Sequence, residues 1–257
     1  MATKYIAHAS IDENNKIKGG KAGDQTKKEV CIRSWYNKPW SHVLRINNEK
    51  VRKQFGNNMI DIAKNNNIGY DQNQRNSLLT QAVKVNFDFT KITTKCECDC
   101  SSAITVAILG AIKKVLGQAE YEKAYNILYA GNNCRTTSTL RSGLNTLKMI
   151  TVYSDKAHTS STDKVVFGDI YISEGHHVVC YINDAKKVSL TTATSYYKKY
   201  TGLSLKIDTV FKAIGAPYGS VSKRMTVAKK NGYSNYKGTA FQNLALINLA
   251  KKGKLKK

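Results

Sequence analysis

Acidic residues are scarce in this chain of 257 residues: 18 Asp+Glu face 41 Lys+Arg, for a formal net charge of +23. That imbalance argues against a cationic partner and points to a polyanion, either nucleic acid or another anionic polymer drawn in by the same long-range field. Proline is nearly absent, with two residues, and there is no long Gly/Ser tract. A floppy spacer is thereby excluded, so any junction between folded units is short or semi-ordered. No run of ~18 apolar residues occurs, which removes a membrane-spanning helix from the reading. The opening MATKYIAHASIDENNKIKGG has no apolar leader core, so no Sec signal is expected. No internal repeat is evident. The six cysteines, at 31, 96, 98, 100, 134 and 180, are too scattered for a disulfide scaffold and fit free thiols made in a reducing cytoplasm.

What is present suffices for a core: 41% of residues are hydrophobic and 9% aromatic. The length exceeds the usual single domain of roughly 100–200 residues, so one large unit plus a small one is expected. Residues 1–45 alternate apolar and polar positions in KEVCIRSWYNKPWSHVLRI and read as strands, with Pro39 at a strand edge. Val51, Phe55, Met59 and Ile62 form a helical stripe from Glu49, and a second helix is expected over 73–85. Lys95–Leu116 combines a polar, Cys-rich entry, CECDCSS, with a buried helix, AITVAILGAIKKVLG. A further helix is expected over 118–129. Beyond Thr151 the pattern turns to strands, VVFGDIYIS and HHVVCYI, then a turn at NDAKK and a return strand near VSLTT. Helices followed by an antiparallel sheet give an α+β fold class.

From Tyr196 the composition shifts again. Residues 196–257 hold 14 Lys+Arg against one acid, Asp208, a net of +13, so over half of the excess charge sits in about a quarter of the chain. Ile207, Val210, Phe211 and Ile214 form a helical face closed by Gly215, and QNLALINLAKKG reads as another helix, patterning that a disordered tail lacks.

The chemistry centres on Cys100. Ser101 or Ser102 can act at or near the cap of the buried helix, which puts the Cys100 thiol at its positive end. A helix N-terminus and a nearby imidazolium lower a thiol pKa and make it a nucleophile. Of the five histidines, at 8, 42, 158, 176 and 177, the pair His176–His177 opens a strand that can aim a side chain at the helix start. Adjacent strand residues face opposite ways, so one ring is the base. If Val179 and Tyr181 pack beneath, His177 joins them; if Val178, Cys180 and Ile182 share the nucleophile's face, His176 does. Cys96, Cys98 and Cys100 form C-x-C-x-C, which is not zinc-finger spacing, and no metal is assigned. Trp35 and Trp40 are candidates for stacking on sugar rings or for the core.

The runs CECDCSSAITVAI, GDIYIS and GHHVVCYI resemble those of cysteine–histidine peptidoglycan hydrolases with a papain-like core, the NlpC-type and CHAP groups. The likeness is greatest to endolysin and autolysin amidohydrolases of clostridial phages and related Gram-positive bacteria. GGKAGDQ, RSWYNKPW and GYDQNQRN extend it across most of residues 10–182. The resemblance implies Cys100 as nucleophile, His176 as general base with His177 left open, and Asp99 and Ser101 as substrate-binding neighbours. It implies no cofactor, peptidoglycan as substrate, and cleavage of a stem-peptide or muramoyl-L-alanine amide. A third catalytic group is not evident: Asn183 lies too far along the strand, and a hydroxyl near Thr191–Thr192 is one alternative.

Residues 196–257 are similar to a small module that follows amidase domains in clostridial wall lytic proteins, which implies attachment to anionic wall polymers. The expected organisation is a catalytic domain over 1–183, a linker over 184–195 and a basic wall-binding domain over 196–257. The implied site of action is the cell wall, after release from the cytoplasm. The competing class is a non-enzymatic binder of nucleic acid or anionic wall polymer; nucleic acid is the less expected partner.

Overall fold

The computed structural model describes residues 4–182 and 196–257. The chain divides into two compact units with the border between residues 191 and 192. In the first unit, strands β1 (Tyr5–Ala9), β2 (Val30–Ser34) and β3 (His42–Ile46) precede the long helix α1 (Glu49–Lys64). Then come β4 (Ile68–Tyr70), α2 (Ser77–Lys84), β5 (Cys96–Cys98), α3 (Cys100–Leu116) and α4 (Gln118–Leu128). The unit continues with α5 (Leu140–Thr146), β6 (Ile150–Tyr153), the short α6 (Lys156–Thr159), β7 (Ile170–Ser173) and β8 (His177–Tyr181).

The fold is α+β. Six strands form one antiparallel sheet in the order β2-β1-β8-β7-β3-β6, while β4 and β5 pair in parallel as a separate ribbon. The expected order, helices and then a sheet, is corrected: the sheet draws strands from both ends of the first unit and the main helices are inserted between them. Local patterns show strands but not their partners, and here β1 pairs with both β2 and β8. The Cys-rich entry is also more ordered than its polarity suggests, because Cys96–Cys98 is a fully buried strand. The second helix starts at Ser77 rather than 73 because the backbone before it is committed to turns: Asn73 N–H donates to Asp71 and Gln72 N–H to the Ile17 carbonyl. The return strand expected near VSLTT lies outside the described residues.

One sheet face carries the main core. Val51, Phe55, Met59 and Ile62 of α1 and Ala103, Ile104, Ala107 and Ile108 of α3 cluster with Leu44, Ile170, Val178, Cys180 and Ile182. Each such side chain, fully buried, contributes roughly 1.5–3 kcal/mol. The opposite face buries Ile6, Val43, Tyr171, Val179 and Tyr181 with Trp40 and Val165. Trp40 therefore belongs to the core, at 5% exposed. Arg45 of β3 forks onto the fully buried Asp169 just before β7, with Nη2 2.6 Å and Nε 3.0 Å from its carboxylate oxygens. Paired forks of this kind satisfy a buried charge and fix the start of a strand.

The second unit contains α7 (Ile207–Ile214), α8 (Val221–Lys230) and α9 (Ala240–Lys251). Its core comprises the expected Ile207, Val210, Phe211 and Ile214 together with Val227, Tyr236, Leu246, Ile247 and Leu255. Gly215 ends α7 at φ 76°, a left-handed cap that glycine adopts without strain. Thr239 and Gln242 form a reciprocal capping box on α9. Its lone acid, Asp208, pairs with Arg224, which also donates to the Tyr236 hydroxyl.

Candidate active site

Cys100 is the first residue of α3, and Asp99 caps that helix: its carboxylate accepts the Ser102 N–H at 2.7 Å, while the Ser102 hydroxyl accepts the Asp99 N–H at 2.8 Å. Arg75 locks the cap. Its guanidinium forks onto Asp99 and also donates to the Ser101 hydroxyl and to the Asn133 side chain and the Cys134 and Arg135 carbonyls. Asp99 and Ser101, expected to meet substrate, therefore have their polar groups engaged within the protein, although both line the groove in which Cys100 lies. That groove, of about 300 Å³, is also lined by Lys18, Arg75 and His176.

Cys100 is 7% exposed, and the backbone N–H groups of Val178 and Ser101 act to stabilise its thiolate. Burial pushes its pKa up to about 12 and the Asp99 charge adds to that, while those two N–H groups and Arg75 act the other way. The expectation of a lowered pKa is thus corrected for the resting protein. The helix end is positive, but the residue that caps it is an anion and the thiol is shielded from water. A thiol in this setting is neutral at pH 7 and needs a base at the moment of attack.

Two imidazoles stand at the adjacent hairpin. His176 is exposed in the turn between β7 and β8, where its N–H donates to the Ser173 carbonyl, and it lines the groove with Cys100. His177 opens β8 and is half-buried, and the amide that joins it to Val178 is the one whose N–H acts on the Cys100 thiolate. Its Nε2 lies 3.2 Å from Nδ1 of His8 on β1, and its ring stacks on Trp40 with centroids 6.3 Å apart. The other nitrogen of His8 faces the Cys31 sulfur at 3.6 Å. Burial lowers the His177 pKa to about 4, helped by Lys38 and Arg33 and opposed by Asp99. Burial, then His177 and Arg33, lowers His8 to about 3. Both rings are neutral at pH 7. As for strand parity, Val178, Cys180 and Ile182 share the core cluster of Cys100, whereas Val179 and Tyr181 lie on the Trp40 face.

His42 bonds Ser41, and His158 pairs with Asp155 and stacks on Tyr153; neither lines the groove. Asn183 and Thr191–Thr192 lie outside the described residues. Two residues that sequence reasoning gave no role stand out. His8 sits in an ordinary-looking strand and meets His177 only through the sheet. Arg75 lies inside the quoted GYDQNQRN stretch, and only its burial marks it. Among the described residues no group of three His, Cys, Asp or Glu side chains is arranged to hold a metal ion.

The site thus sets a cysteine at a capped helix start beside a histidine-bearing strand. The family model described as an endolysin-like domain matches residues 6–188. The chain belongs to the endolysin-like domain family. As an endolysin-type protein it is, in general terms, a peptidoglycan hydrolase acting on the cell wall. The matched span covers β1 to β8 and so includes Cys100, His8 and both hairpin histidines. No curated protein and no solved structure matched the chain. No helix among the described residues of this endolysin-like protein is long and apolar enough to cross a membrane.

Proposed function

We propose that this protein cleaves an amide bond of peptidoglycan, in the stem peptide or at the muramoyl-L-alanine link, with Cys100 as nucleophile and an imidazole of the His176–His177 pair as general base. The resemblance to papain-like NlpC and CHAP hydrolases belongs to the same reading. One observation carries it: Cys100 stands at a helix start on the groove, and the amide that follows His177 acts on its thiolate.

In the proposed reaction the imidazole takes the proton from Sγ as sulfur attacks the carbonyl carbon. The C–N bond then breaks, the amine leaves with the proton from the imidazolium, and water hydrolyses the thioester. Backbone N–H groups at the start of α3 stabilise the developing charge. A neutral resting thiol makes proton transfer part of the attack rather than a prior equilibrium.

Strand parity points to His176, since Val178, Cys180 and Ile182 share the core cluster of Cys100, but His177 is preferred because the amide that follows it acts on the Cys100 thiolate and His8 fixes its ring. A base is most effective when a third group fixes its ring; His8 bonds Nε2 of His177, so Nδ1 is the nitrogen assigned in this proposal to take the thiol proton. His176, the base implied by the resemblance, is the second reading, supported by its place on the groove. Asp99, Ser101 and Arg75 serve in this account to fix the helix start beneath the bound substrate. Residues 1–183 act as the catalytic domain, 184–195 as linker and 196–257 as a basic module for anionic wall polymers that raises the local substrate concentration.

Clearing of purified Gram-positive walls by single-residue variants tests these assignments. His177→Ala is expected to lose at least about a hundredfold in rate, the scale of a positioned base, and His176→Ala less than tenfold. The reverse order transfers the role to His176. Iodoacetamide stops clearing and a chelator leaves it unchanged; a chain that binds walls without releasing fragments is instead a non-enzymatic binder.

A further inference from the structure

The groove beside Cys100 has an unbalanced charge. Among its lining residues Arg75 and Asp99 neutralise each other as a buried fork, and the remaining Arg75 donors are engaged by Ser101, Asn133 and two backbone carbonyls. Lys18 is left. It is exposed, it lines the groove, and no ion pair among the described residues includes it.

Its position is built rather than incidental. The loop that bears it is tied on both sides to the segment entering α2: Gln72 N–H donates to the Ile17 carbonyl at 3.0 Å, and Gly19 N–H donates to the Asp71 carboxylate at 3.2 Å. Further back, Asp12 accepts the Asn14 and Lys16 N–H groups, and Glu13 accepts the Lys21 N–H. These carboxylates bond the loop's backbone and fix its path, and Lys18, exposed on that loop, lines the groove. A flexible ammonium on a fixed backbone is suited to a carboxylate that arrives with the substrate.

We propose that Lys18 is a specificity residue whose ammonium takes a carboxylate that the substrate carries beside the scissile amide. This rests on the hydrolase reading above. The substrate class it selects is a stem peptide with its carboxylates free, over the same peptide with those groups amidated.

The test uses the full chain and two matched muropeptides, one with free carboxylates and one amidated. Wild-type protein is expected to cleave the free form with a kcat/KM about three- to tenfold higher, carried by KM, the range of one partly exposed charge-assisted contact. Lys18→Gln levels the two, Lys18→Arg keeps the preference, and Lys18→Glu turns it toward the amidated form. Equal cleavage of both forms by wild type, or an unchanged preference in Lys18→Gln, overturns the assignment while leaving the hydrolase reading intact. Failure of wild type to cleave either form strikes the hydrolase reading itself and takes the Lys18 assignment with it.

Discussion

Arg75 holds together three segments that are distant in sequence: the Asp99 cap of α3, Ser101 beside the thiol, and the Asn133–Arg135 strand of loop. Arg75→Ala leaves the Asp99 charge buried and unpaired, which costs about 3–5 kcal/mol. Urea unfolding monitored on the first unit should show a loss of that order. Arg75→Lys keeps the charge but not the fork and should recover only part of it. At the same scale, His8→Ala is expected to slow catalysis more than it lowers stability and to leave KM nearly unchanged, because it frees a ring rather than removing a substrate contact. The place of Cys100 at a helix start was legible in the sequence because a polar run, DCSS, gives way there to a long apolar helix. His8 was not, because its contact with His177 spans 169 residues and exists only once β1 lies beside β8. The thiol's resting state was misjudged for a related reason: sequence shows the helix end, but not the water excluded around it.

Among the elements, the helices were read well because each carries its own period: α1, α4 and α7 fall on or within a residue or two of the expected spans, while α3 starts three residues early because Asp99, rather than Ser101 or Ser102, is its cap. The sheet's strands were recognisable too, but their order was not, since pairing depends on partners far away in the chain. The approach of the segment before β7 to α1 shows how tightly elements meet. Gly168 has φ +85°, and a Cβ there would stand 2.4 Å from the Arg52 carbonyl oxygen of α1, which is backbone and cannot swing away. Gly168→Ala combines strain at positive φ with that clash and should cost about 1–3 kcal/mol or more. Thermal unfolding measures it. The adjoining Arg45–Asp169 fork gives the G-D pair read in the sequence a structural meaning: glycine for the close approach, aspartate for the buried clamp.

At the scale of the whole molecule, stability should respond to pH in two opposing ways. His8 and His177 titrate near 3 and 4 in the folded protein and near 6.5 when unfolded. Between those values the unfolded chain binds more protons, so stability is lost as pH falls from about 6.5 toward 4. Glu97 has the opposite sign. Burial lifts it to about 8, with Glu29, Asp71 and Glu13 adding to the effect and the Gly23 N–H opposing it. The folded state therefore holds the extra proton above pH 4.5, and stability falls as pH rises toward 8. Glu97→Gln should flatten the alkaline side alone, as seen by denaturation across pH. The charge distribution carries a separate expectation: retention of the full chain on purified walls should weaken steeply as salt rises, through the +13 of residues 196–257. If the Cys100 sulfur breaks the bond, mass spectrometry of the muropeptides released from walls will show new amine and carboxylate ends with the wild-type protein and none with a Cys100→Ala protein of matched fold; the same fragments released at a comparable rate by Cys100→Ala would remove Cys100 from the reaction.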